Sequence, residues 1–230
     1  MNKKADLVSN FYSSIYLTFI SLLQGIALVL LLPEFIVFLR TAEHPFTDFN
    51  ILPFVLTLLI VFTIWHHYTF QVLYLKWFPN ISDAILPFLI AISEFFLISY
   101  ATTKTHGDID GWIKAFAAFL FLTGIAYFGI LRNDIDLFSN IMTRKNAIRH
   151  DLHNRTIGKI LGCFMIIQAL AALTMLWLHA ERWLWLSLFL FVVHIAYTEY
   201  YVMTRIKPFF IKAIEEFEER EKLHGRRPIH

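Results

Sequence analysis

Long runs of apolar residues, separated by short polar or basic stretches, dominate the chain. A helix needs about 20 apolar residues to cross about 30 Å of hydrocarbon. The runs are apolar on all faces and do not alternate, so they predict helices and not strands. The pattern therefore predicts an all-α, polytopic membrane helical bundle over residues 1–204, with Pro33 marking the end of the first span. About six spans are expected, at residues 11–32, 52–75, 81–100, 112–130, 157–178 and 183–203.

The flanking charges predict the orientation of this bundle. With six spans, most of the 20 lysine and arginine residues fall at the two termini, near Lys76, and in the loop after the fourth span. All of those segments lie on one side, and positively charged segments stay cytoplasmic. We therefore predict cytoplasmic termini, in a bacterial inner membrane or a eukaryotic membrane, since both follow the same rule. Tryptophans near span ends are expected to act as interfacial anchors: Trp77, Trp112, Trp177, Trp183 and Trp185.

Two cytoplasmic segments are candidate contact surfaces. Apolar residues recur at helical spacing in the loop 131–156, which predicts an amphipathic helix on the membrane surface or under the bundle. Arg144, Lys145 and Arg149 lie off its apolar stripe and are candidates for lipid headgroup contacts. The tail 205–230 combines an apolar stripe with an acidic run between basic ends. The tail is either a solvated juxtamembrane helix or a contact helix between subunits, and both segments are candidate docking surfaces for a cytoplasmic protein.

Composition agrees with a membrane protein. Hydrophobic residues make up 57% of the 230 positions and charged residues 17%, whereas soluble domains carry about 45–50% and about 25%. A net charge of +2 is too small to indicate nucleic-acid binding. The single cysteine, Cys163, excludes an intramolecular disulfide. The expected surroundings of the chain are therefore the lipid bilayer and other membrane subunits.

Polar residues within the predicted spans are the candidates for chemistry, because a charge at mid-helix costs roughly 2.5–3.5 kcal/mol on insertion scales. Glu94 lies near the centre of the third span, so its side chain must face other helices or a water-filled path, or carry a proton. With a histidine it would form a proton-transfer pair. The alternative is an interhelical hydrogen bond that only stabilises packing. The full set is Gln24, His66, His67, Glu94, Gln168, His194 and Glu199.

Metal and cofactor sites find little support. His66 or His67 paired with His194 would place two imidazoles at similar depth, as a transmembrane haem requires, but no second pair accompanies them. The histidines are too few on one side for a membrane di-iron centre. There is no phosphate-binding loop, no nucleophile elbow and no H-E-x-x-H. We therefore predict no cofactor, no metal and no enzymatic activity.

Two segments resemble a known family. Residues 11–16 (FYSSIY), residues 20–23 (ISLL) and residues 65–70 (WHHYTF) are similar to the first two helices of the six-span lysosomal-type potassium channels and their bacterial relatives. In that family the first helix opens with F-S-D, continues into I-T-L-L and lines the pore, and the second carries a tryptophan and a His-His pair. The resemblance implies a homo-oligomeric channel around a central axis, with an apolar gate. Its pore and gate candidates are Ser13, Ile20, Ser21, Leu23 and Gln24.

Three functions follow from these observations and remain open at this point. The leading expectation is cation passage, of potassium type, through an oligomer lined by the first helix. The second is a membrane sensor, anchor or assembly subunit without transport, which docks through residues 131–156 or 205–230. The third is a proton-coupled transporter that uses Glu94 and His194.

Overall fold

A computed structural model of the chain describes residues 3–43, 51–75, 81–102, 108–129, 144–178 and 184–201, together with positions 203, 204, 208, 211, 215 and 219. Across these ranges the regular structure is helical, which confirms the all-α prediction for the described part of the chain. We number its helices α1 (Lys3–Thr41), α2 (Ile51–Leu75), α3 (Ile81–Ala101), α4 (Ile109–Gly129), α5 (Arg144–Trp177) and α6 (Leu184–Tyr201).

The helices α1, α2, α4, α5 and α6 are long and apolar enough to cross a bilayer. Large apolar side chains also cover their outer surfaces, including Val29, Leu30, Phe62 and Phe189. A soluble monomer rarely exposes apolar patches of this extent, so the chain is a multi-pass membrane protein. The described apolar part of α3, Ile85–Ala101, is shorter. A sixth crossing and cytoplasmic termini therefore stay predictions.

Helix α1 continues through Pro33 to Thr41, beyond the position at which the sequence predicts the end of the first span. Proline removes one backbone donor, yet a lipid environment leaves no other partner for the remaining backbone groups. The residues after Pro33 are again apolar and pack on α2. The rings of Phe35 and Phe38 lie 5.5 and 5.3 Å from the ring of Phe54, which fixes this last part of α1.

Helix α5 runs without a break from Arg144 to Trp177. The sequence predicted a separate amphipathic helix over 131–156; residues 144–156 instead form the beginning of the spanning helix, and residues 131–143 lie outside the described ranges. Its 34 residues extend about 51 Å at about 1.5 Å per residue, well beyond about 30 Å of hydrocarbon. The basic first third of α5 is therefore a helical extension in line with a membrane span.

The chain divides into two compact units. The first unit comprises residues 1–123 and 165–189. In it α1, α2 and α3 pack against one another, and the beginning of α4 adds the fully buried side chains Trp112, Phe116 and Leu120. The indole N–H of Trp112 donates to the hydroxyl of Thr57 at 3.0 Å, which ties α4 to α2. This unit contains most of the buried apolar core among the described residues.

The second unit comprises residues 124–164 and 190–230. Its described parts of α4 and α5 approach closely at Gly162. A Cβ atom placed on Gly162 would lie 3.0 Å from the carbonyl oxygen of Gly124 and 2.8 Å from the ring of Phe128. Gly158 is buried one turn earlier on the same helix. The spacing of Gly158 and Gly162 is the G-x-x-x-G arrangement that lets membrane helices approach.

The first turn of α4 is capped by Asp108, whose Oδ1 accepts the N–H of Gly111 at 2.8 Å. This bond satisfies one of the donors that every helix leaves unpaired at its start. We expect Asp108→Ala to lower the free energy of unfolding by about 0.5–2 kcal/mol, measured by denaturant titration in detergent micelles. Asp110→Ala, at an exposed position of the same turn, is the control; an equal loss in both variants would contradict the capping role.

Candidate intramembrane polar site

The first unit contains a buried polar pair between α1 and α3. Gln24 Nε2 donates to Glu94 Oε2 at 3.0 Å, and Glu94 is only 2% exposed. Both residues lie on the buried stripes of their helices, and the two stripes repeat the same spacing. On α1 the stripe is Ile20, Gln24, Ala27 and Leu31; on α3 it is Ile90, Glu94, Leu97 and Ala101. The helical period therefore places both polar side chains in the apolar contact between the two helices.

This pair leaves two buried oxygen atoms without a hydrogen-bond partner among the described residues, Gln24 Oε1 and Glu94 Oε1. The neighbouring hydroxyl of Ser93 does not serve them, because it donates to the carbonyl of Ile90 at 2.7 Å. Buried polar atoms are nearly always hydrogen-bonded in folded proteins. Within the described residues, this pair therefore has two acceptor oxygens and no donor for them.

The pore candidates of α1 fall on different faces of the helix. Ile20 is 3% exposed and Gln24 is buried, so both pack inside the chain. Ser21 is exposed and Leu23 is half-buried. The side chain of Ser13 lies outside the described residues. Within one chain, the expected pore residues Ile20 and Gln24 thus face the interior of the first unit, and Ser21 faces outward.

The remaining sequence candidates are more dispersed. His66 and His67 are half-buried on α2, with their ring centroids 6.2 Å apart, and Glu199 is half-buried on α6. Gln168 is buried on α5, and neither atom of its amide has a partner within the described ranges. The backbone of Arg144, Lys145 and Arg149 is helical, but their side chains, like most of residues 205–230, lie outside the described part of the structure.

His194 forms a second polar site, inside the second unit, with a partner that the sequence analysis missed. The hydroxyl of Tyr127 lies 3.2 Å from His194 Nε2, and the ring of Phe164 stacks on the imidazole with 6.1 Å between centroids. Thr198 donates to the backbone carbonyl of His194 at 2.8 Å. Tyrosine carries a polar group on an apolar ring. A hydropathy pattern therefore does not distinguish Tyr127 from an apolar core residue.

Glu94 and His194 each have a partner within their own unit, Gln24 for the first and Tyr127 for the second. Within the described ranges, no three His, Cys, Asp or Glu residues form a group that could hold a metal ion. His194 is likewise ionisable and buried, but the Gln24–Glu94 pair leaves two buried oxygens without a hydrogen bond in the described ranges, so it is the better candidate for function.

Comparisons with known proteins do not identify a family or a function for the chain. No protein-family model, no curated protein and no solved structure matches the chain.

Proposed function

We propose that this multi-pass membrane protein passes a monovalent cation across the bilayer, with Glu94 as the group that binds the cation. The observation that carries the proposal is a buried carboxyl group in an apolar helix, held by Gln24 through one oxygen and without a hydrogen bond at the other among the described residues. An ionisable side chain inside a membrane span is costly. Ionisable residues within spans mark ion and substrate pathways and proton relays.

The arrangement suits cations for electrostatic reasons. A carboxylate in surroundings of low dielectric constant attracts a positive charge strongly and repels anions. Gln24 fixes the orientation of the carboxyl group through its Nε2 hydrogen bond, so the other oxygen is available to the ion. The buried apolar neighbours Ile20, Ile90 and Leu97 limit the water around the carboxyl group, which strengthens its attraction for a cation.

The test is flux through purified protein in lipid vesicles. Wild-type protein is expected to move protons, followed with a trapped pH-sensitive dye, or potassium, followed by rubidium uptake. Glu94→Gln is expected to reduce this flux to that of protein-free vesicles, because the substitution removes the ionisable group and nearly preserves its shape. Glu34→Gln, which neutralises a half-buried acid on α1, is the matched control and should leave the flux unchanged. Wild-type vesicles without flux of either cation would refute the proposal and favour a non-transporting membrane subunit.

An oligomeric potassium channel lined by α1 is the second candidate. Among the helices that are long and apolar enough to span, α1 has the smallest buried share, so it has the most surface for contact with other copies. Ser21 lies on that exposed side. If α1 surrounds a symmetry axis, Ser21→Cys in a Cys163→Ser background should cross-link copies of the chain in native membranes. A non-cross-linking monomer would exclude this pore.

A further inference from the structure

The unsatisfied atoms of the Gln24–Glu94 pair have a specific chemical meaning. A glutamine amide has two N–H donors on Nε2 and an acceptor at Oε1, and an ionised carboxylate offers acceptors only. With Glu94 ionised, Gln24 Nε2 donates to Glu94 Oε2, but Gln24 Oε1 and Glu94 Oε1 are both acceptors, and both are left over. A protonated carboxyl group has an O–H donor as well. One proton on Glu94 therefore supplies the donor that the pair lacks.

We propose that Glu94 carries a proton in the resting protein and forms a cyclic acid–amide pair with Gln24, so that the cation taken by this site is a proton. In the pair, Gln24 Nε2 donates to Glu94 Oε2, and the hydroxyl at Glu94 Oε1 donates to Gln24 Oε1. The two oxygens that lack a donor in the ionised form are then joined by one hydrogen bond, without a charge in the membrane. The proposal rests on the cation passage proposed above and names the ion.

The number of available oxygens favours a proton over an alkali cation. Potassium sites in channels replace the hydration shell with rings of carbonyl oxygens, and a stripped alkali ion needs several oxygens at once. Here two oxygens of the pair are open, and the neighbouring buried side chains Ile20 and Leu97 supply none. A proton needs one oxygen to bind and a second to accept its hydrogen bond.

Nearby charges do not provide a competing counter-ion. The hydrogen bond of Glu94 within the described structure is the one from Gln24, and it has no ion pair there. Helices α1 and α2 pack against α3 and carry the titratable side chains Glu34, Arg40, His66, His67 and Tyr68; the side chain that hydrogen-bonds the Glu94 carboxyl group in the described structure is the uncharged Gln24.

Passage then requires one exchange step with water on the path. The O–H bond at Glu94 Oε1 breaks as the proton moves to a water molecule, which becomes hydronium, and the electron pair stays on the carboxylate. Gln24 Nε2 keeps its bond to Oε2 throughout, which holds the carboxyl group in place. A hydronium ion from the opposite side returns a proton to Oε1, and no oxidant or further reactant is involved.

Infrared spectroscopy of the reconstituted protein tests the bound proton directly. The wild-type protein is expected to show the C=O stretch of a buried protonated carboxyl group, and Glu94→Gln should abolish this band. Gln24→Leu should retain the band and shift it to higher frequency, because the hydrogen bonds from the amide are lost. Glu34→Gln is the control and should leave the band unchanged. A wild-type spectrum with carboxylate bands alone, or a band that survives Glu94→Gln, would overturn the inference.

Flux measured on the same vesicles separates this inference from the proposed function. Proton flux without rubidium flux, abolished by Glu94→Gln, supports both. Rubidium flux without proton flux overturns the inference and supports cation passage. If the protein passes neither ion, cation passage is refuted. The infrared band then shows whether Glu94 is protonated, in which case its pair with Gln24 only stabilises the packing of α1 and α3.

Discussion

Replacing Trp112 with alanine is expected to lower the free energy of unfolding by about 3–5 kcal/mol, as for other large aromatic residues removed from a packed core. Trp112 is 0% exposed. Its ring stacks on Phe116 with 5.0 Å between centroids, and its indole N–H donates to Thr57. The substitution therefore leaves a cavity between α2 and α4 and removes their hydrogen bond. Denaturant titration in detergent micelles, followed by loss of helix circular dichroism, measures the change.

Two further variants separate the contributions to this effect. Trp112→Phe keeps most of the ring and removes the N–H donor, so it should cost about 1–3 kcal/mol. Trp185→Ala removes the same side chain from a position on α6 that is 51% exposed, where the large apolar surface faces outward, and should cost much less. Equal losses for Trp112→Ala and Trp185→Ala would show that Trp112 is not a core residue of the first unit.

Trp112 also shows where hydropathy reasoning fails. The sequence placed it among the interfacial anchors because it lies near the end of a span, but it is buried and bonded to Thr57, so that assignment is wrong. Trp177 and Trp185 are exposed, as anchors must be, and Trp77 and Trp183 lie outside the described residues. A tryptophan near a span end is compatible with either position. Whether it is buried or exposed depends on which helix packs beside it, and the sequence of one chain does not identify that helix.

The existence of the helices was predictable, and their ends were not. Long apolar runs must hydrogen-bond their backbone internally in lipid, so the helices α1 to α6 follow from hydropathy. The ends depend on local features that compete with each other. Pro33 is a helix breaker in water, but the apolar residues after it continue α1. The polar residues 144–156 suggested a separate segment, but nothing in them breaks the helix, since they contain neither proline nor a helix-terminating glycine.

The sequence predicted which residues form the candidate site but not that Gln24 and Glu94 hydrogen-bond each other. Gln24 and Glu94 stand out as polar residues in apolar runs, which is a strong signal because burial of such groups is costly. That they meet each other depends on how α1 turns toward α3, and both helices are too uniformly apolar for their sequences to fix that rotation. His194 was found for the same reason, and its partner Tyr127 was missed because tyrosine is common in membrane helices.

The close contact of α4 and α5 was present in the sequence as Gly158-x-x-x-Gly162, a spacing that permits close packing of membrane helices. The motif alone does not say which helix faces it. In the structure the facing element is Gly124 of α4, whose carbonyl oxygen occupies the space that a side chain at Gly162 would need. Glycine is required at this contact since the backbone itself is the neighbour.

Gly162→Ile is therefore expected to destabilise the protein by about 1–3 kcal/mol or more, as for overpacked cores. Even a Cβ atom would lie 2.8 Å from the ring of Phe128 and 3.0 Å from the carbonyl oxygen of Gly124. The exposed ring of Phe128 can swing away, but the backbone of α4 cannot move without separating the two helices. Gly162→Ala should accordingly cost less than Gly162→Ile, since one carbon atom is more easily accommodated than a branched side chain.

The matched control for this prediction is Gly25→Ile. Gly25 lies on α1 with nothing within 4 Å of an added Cβ, so the same substitution meets open space and should change the free energy of unfolding by only about 0.5–1 kcal/mol, through helix propensity. Denaturant titration of both variants in one detergent gives the comparison. If Gly162→Ile were as mild as Gly25→Ile, the helices α4 and α5 would not be in backbone contact at Gly124, and the packing of the second unit described above would be incorrect.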